Sequence, residues 1–169
     1  MIISGKKGNI YNGFVSAKPL DPIYLEWYET NKRILHKRTV NGTEIICKFL
    51  NESPALKEGD VLEENECLIV VKILLCDAIV LYLDSKMEFA SVSYEIGNKH
   101  LPLFYEDENL LVPYDEPLFR MLTAQGYKVE KQEKKLVNQV KTTVSPHGDA
   151  ASNSLFSRIL KITATSNIS

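Results

Sequence analysis

Between residues 76 and 132 the chain alternates strand-like and helix-like patterns, and each helix carries its own start and stop signals. Residues 78–83 form an apolar run of strand length. Ser85, followed three positions later by Glu88, is a capping box. It opens a helix with Phe89, Val92, Ser93 and Ile96 on one stripe, and Gly97 is the expected stop. Residues 101–105 and 110–112 read as strands around the polar turn Glu106-Asp107-Glu108-Asn109, and Pro113 ends the second. Asp115 caps a second helix with Glu116 and Pro117 in its first turn. Leu118, Met121, Leu122 and Gln125 follow at helical spacing, Gly126 ends the helix, and residues 127–132 are a last strand. The order is β-α-β-β-α-β, the ferredoxin-like split βαβ arrangement.

The preceding half lacks helical periodicity and reads as β. Residues 2–10 are a weak strand, and residues 23–27 place strand formers in a row, Trp27 included. Residues 33–40 and 44–50 flank Asn41-Gly42, a strong short-range hairpin signal. Val61-Leu62 and residues 67–75 form a second hairpin around Glu64-Asn65. Short strands joined by tight turns predict a small barrel or sandwich. The fold class is therefore α+β: an all-β domain over 1–75, a ferredoxin-like domain over 76–133, and a flexible C-terminal tail over 134–169. The tail is rich in Ser, Thr and Asn, with one apolar patch at Leu155, Phe156, Ile159 and Leu160. Such a segment orders only when it docks on something.

Composition narrows the function. At 169 residues and a net charge of −2, nothing favours broad attraction to nucleic acid or an anionic membrane. The first residues lack the apolar core of a signal peptide and no apolar run spans a bilayer, so a cytoplasmic protein is expected. Cys47, Cys67 and Cys76 sit singly in apolar runs and read as reduced thiols. There is no phosphate-binding glycine loop and no nucleophile elbow, and the expectation is a protein without catalytic activity.

Three histidines remain: His36, His100 and His147. His36 alternates onto one face of a basic strand and reads as part of a solvated or protein-docking surface. His100 lies just past the first helix, in Gly97-Asn98-Lys99-His100. One imidazole holds a metal weakly, but a twofold axis brings two copies together. His147 sits between Pro146 and Gly148, near Asp149, and imidazole with carboxylate or water suits nickel.

Several ordered pieces resemble one family. They are Met1-Ile2-Ile3, Gly8-Asn9-Ile10, Leu25-Glu26-Trp27-Tyr28-Glu29 with Lys32-Arg33, Glu58-Gly59-Asp60-Val61-Leu62, and Tyr94-Glu95-Ile96-Gly97-Asn98-Lys99-His100-Leu101-Pro102-Leu103. The chain resembles the UreE urease accessory proteins, which are nickel metallochaperones. The resemblance implies a homodimer that binds Ni2+ at its axis through His100, with His147 completing the site. The same resemblance implies that Zn2+, Cu2+ or Co2+ would substitute in vitro. The implied partners are a GTPase of the urease pathway and the apo-urease accessory complex. The chain departs from the histidine-rich tail of many members, since nothing after His147 is histidine. The alternative is a ferredoxin-like nucleic-acid-binding module, which would need aromatic residues on the central strands and a basic face.

Overall fold

A computed structural model describes residues 1–50 and 54–140. The described residues of the first unit form seven strands in two sheets. Strands β1 (Ile2–Ile3), β4 (Ile34–Arg38) and β5 (Glu44–Lys48) make one sheet in the order β1-β5-β4. Strands β2 (Gly8–Asn9), β3 (Leu20–Leu25), β6 (Asp60–Glu64) and β7 (Leu68–Ile73) make the other, in the order β2-β6-β7-β3. Ile23, Leu25, Leu35, Ile45, Cys47, Leu62, Val71 and Ile73 form one buried core, and Val61, Leu68 and Val70 form another. β7 is apolar in nearly every position because its alternate side chains enter two different clusters.

The expected single strand over residues 2–10 is two short strands in different sheets, separated by Ser4, Gly5 and two lysines. The Asn41-Gly42 hairpin is present, with a loop longer than the two-residue type. Thr39 and Thr43 close the pairing and Gly42 takes φ +91°, so Val40, Asn41 and Gly42 form a three-residue loop with glycine at the left-handed position.

The second unit is the ferredoxin-like domain. It contains β8 (Cys76–Tyr82), α1 (Lys86–Asn98), β9 (Phe104–Glu106), β10 (Asn109–Pro113), α2 (Glu116–Ala124) and β11 (Lys128–Lys134). The sheet order is β11-β8-β10-β9 with every pairing antiparallel, the arrangement required by a split βαβ. Ile79, Leu81, Leu110 and Val112 face Val92 and Ile96 of α1 and Leu118 and Leu122 of α2. The caps are as expected: the Ser85 hydroxyl accepts from the Glu88 N–H at 3.1 Å, and the Asp115 carboxylate from the Leu118 N–H at 2.9 Å. Glu88 reaches back to the Asp84 N–H, one residue earlier than a capping box requires.

The other face of this sheet joins the two units. Trp27, expected as the end of a strand, lies instead in a 3-10 turn over Trp27–Glu29, because β3 ends at Leu25. That turn aims Trp27 sideways onto Ala78, Val80, Phe104 and Leu111, with Leu136 beside it. Its ring meets Phe104 edge-on at a centroid distance of 5.6 Å.

Residues 135–140, assigned by the sequence to a flexible tail, are packed. Leu136 is buried in the shared cluster, Val137 packs on the first unit's core, and the Tyr105 N–H donates to the Asn138 carbonyl. Lys135 reaches back to Glu58 at 3.0 Å. Burial pushes the Glu58 carboxyl up, but the Ile73 N–H at 2.5 Å and the Lys135 and Lys72 ammonium groups outweigh it and hold the group below its ordinary value. A depressed folded value means the stabilisation is present above about pH 4.5 and is lost as pH falls through that folded value. Glu58→Gln is therefore expected to cost about 1 kcal/mol at neutral pH, discounted for partly exposed partners, and much less near pH 3. Urea denaturation at the two pH values measures the difference. An equal cost at both would show that the charge of Glu58 is irrelevant.

Candidate metal site

The first helix does not stop where its glycine stands. Gly97 stays within α1, and Lys99 is the C-cap. His100 then takes φ +55°, its N–H donates to the Gly97 carbonyl at 2.9 Å, and the Leu101 N–H donates to the Ile96 carbonyl at 3.3 Å. These two bonds define a Schellman ending, in which the left-handed residue is usually glycine. Leu101 packs against the same core as Ile96, which completes the apolar contact that accompanies this ending.

The second helix supplies an internal control. Gln125 is its C-cap, Gly126 takes φ +86°, and the Tyr127 N–H donates to the Leu122 carbonyl at 3.1 Å. The two endings have the same form, with glycine at the left-handed position of one and His100 at the other. A side chain with a Cβ in that conformation costs roughly 1 kcal/mol or more. Such an outlier points from structure to function.

The result is an exposed imidazole on a hydrogen-bonded turn at the carboxyl end of a helix. That end carries the negative pole of the helix dipole, which favours a cation. Sequence reasoning located His100 but missed its backbone state. The available signal was the spacing of Ile96 and Leu101, five residues apart across a helix end, with a non-glycine residue between them.

The other candidates lie elsewhere. His36 is exposed on β4 of the first unit and paired in register with Ile46, so it does not belong to the His100 turn. His147 lies outside the described residues. Burial pushes the Cys47 and Cys76 thiols up to about 11, which keeps them protonated at neutral pH and makes them poor ligands there. Among the described residues, no group of three or more His, Cys, Asp or Glu side chains is placed to hold a metal ion. No described helix is long and apolar enough to cross a membrane. The sheet face that an RNA-recognition module would offer is occupied around Val80, Phe104 and Leu111 by Trp27 and Leu136.

Comparison with known proteins is decisive for the family. The model of the N-terminal domain of the UreE urease accessory protein matches residues 5–74, and that of the C-terminal domain matches residues 74–152. The chain belongs to the UreE urease accessory protein family. A urease accessory protein UreE from Flavobacterium johnsoniae is 43% identical over 163 residues, covering 96% of this chain and 99% of the relative. One from Acetivibrio thermocellus is 40% identical over 137 residues, covering 80% and 89%. One from Haemophilus influenzae is 39% identical over 125 residues, covering 73% and 68%. The UreE family is one of accessory proteins and not of urease itself, and the two-domain α+β architecture agrees with its two domain models. The His100 turn falls within the C-terminal domain match.

Proposed function

We propose that this chain is a cytoplasmic nickel carrier without catalytic activity, which binds Ni2+ at a homodimer axis and delivers it to apo-urease during assembly. The observation that carries the reading is the exposed His100 imidazole, held at a backbone position where the companion helix has glycine. One imidazole is a weak ligand, and a twofold axis through this turn would supply two. His147 is the further ligand. Support for it comes from the chain path: the Val140 N–H donates to the Leu103 carbonyl at 2.8 Å, so the chain leaves the described residues close to the segment bearing His100. Seven further residues reach at most about 24 Å, enough to return to the turn. Water or a carboxylate would fill the remaining positions, and protons compete for the imidazoles, so acid favours release. A site assembled from a surface turn and a tail can yield its ion to a competing acceptor. By the family resemblance, the acceptors are the pathway GTPase and the apo-urease accessory complex. Zn2+, Cu2+ or Co2+ would occupy the same donors in vitro.

Calorimetric nickel titration with light scattering tests this. The expected result is one nickel ion per two chains. His100→Ala should weaken binding at least a hundredfold, and His147→Ala should weaken it less. Undiminished stoichiometry and affinity in His100→Ala would end the proposal.

A further inference from the structure

The chain occupies the outer side of two of its own edge strands. β9 is met by the segment after β11: Phe104 bridges Gln139, and the Tyr105 N–H donates to the Asn138 carbonyl. β3 is met by the Val40 N–H, which donates to the Pro22 carbonyl. The edge of β4 is different. The Thr39 N–H donates to the Thr43 carbonyl and the Phe49 N–H to the Arg33 carbonyl, so the odd-numbered residues of β4 bond to β5. Ile34, His36 and Arg38 therefore turn their N–H and C=O groups away from β5, and no described residue pairs with them. Such a row is a template for another strand.

The side chains around this edge define what fits it. Lys37 is held by Glu29, and Arg38 pairs with Glu44. Arg33 and Lys48 are exposed and have no acidic partner among the described residues. Ile34, opposite Lys48, is 55% exposed. A second copy of β4 would bring the same positive charges against these, which disfavours self-pairing. β11 is also an edge strand, but Lys128, Glu130, Lys131 and Glu133 mix both signs along it and select no partner charge.

We propose that the open edge of β4 accepts an extended, acidic segment of a partner polypeptide as an added strand. Backbone pairing supplies the hold, and carboxylates near Arg33 and Lys48 supply the selection. The edge lies on the first unit, separate from the His100 turn, and the proposal does not depend on the nickel reading.

Amide hydrogen exchange of the full-length, metal-free protein tests this, with a capped peptide of alternating glutamate and valine as the probe. At millimolar peptide the Ile34, His36 and Arg38 amides should exchange roughly tenfold more slowly or better, while Leu35 and Lys37, already bonded to β5, stay as they are. His36→Pro removes the central outward N–H and spares the bonds to β5, so it should abolish the effect with Leu35 and Lys37 still protected. Arg33→Glu combined with Lys48→Glu should weaken peptide binding while the edge backbone stays intact. Exchange indifferent to the peptide overturns the proposal, as does an equal effect from a peptide with lysine in place of glutamate. So does slowing that appears without peptide and grows with protein concentration, since a second copy would then fill the edge. The readout uses no metal, so failure here leaves the carrier reading standing.

Discussion

Trp27→Ala should destabilise the protein by about 3–5 kcal/mol, the range for truncating a buried aromatic side chain to alanine. Trp27 belongs to the first unit by sequence and to the second by packing: it is 8% exposed and lies against Ala78, Val80, Phe104, Leu111 and Leu136. Its loss leaves a cavity in the layer that joins the units and removes the edge-on contact with Phe104. The joint has few substitutes. Val137 packs on the first unit's core, and Lys135 with Glu58 and Asn31 with Gln139 also cross the joint, as polar pairs with exposed members. Unfolding of the unmodified chain should therefore follow one transition, because Trp27 covers the second unit's sheet face and Val137 packs on the first unit's core. In Trp27→Ala the transition should move to lower urea and separate into two. Far-UV circular dichroism in urea reads both effects, and Trp27→Phe should retain most of the stability. A loss below 1 kcal/mol with a single transition would mean that Trp27 does not join the units.

Much of this architecture could be read in advance, for identifiable reasons. The second unit announced itself because Ser85, Asp115 and Gly126 are local signals, each acting within one helical turn. The Asn41-Gly42 hairpin was equally local, although its loop length depended on whether Val40 stayed in the strand. Its N–H instead bonds the Pro22 carbonyl of β3. What escaped was decided at long range. Trp27 has the propensity of a strand residue, and only the distant sheet face explains why it leaves the strand. Residues 135–140 look polar and tail-like, yet Leu136 and Val137 each find a different core. His100 was found as a chemical candidate because it follows a helix. The glycine three positions earlier drew the stop to the wrong residue, and glycine inside a helix is a weaker constraint than a left-handed residue after it.

That substitution of histidine for glycine leads to the sharpest expected outcome. His100→Gly should leave the protein roughly 0.5–1 kcal/mol more stable and at the same time abolish nickel binding at the proposed site. The gain follows from removing a Cβ at φ +55°, reduced by the greater freedom glycine has in the unfolded chain. His100→Ala separates the two effects, since it deletes the imidazole but keeps a Cβ in the same conformation, and should bring little or no gain. Gly126→Ala is the reciprocal change at the end of α2, where φ is +86°: it should cost about 1 kcal/mol and leave nickel affinity unaltered. Thermal unfolding of the three metal-free variants, paired with nickel titration, yields a pattern that a purely structural histidine would not produce. If His100 were there to hold the turn, removing it would lower stability. If it is there to present an imidazole, stability rises as binding is lost, the trade expected where strain is retained for function.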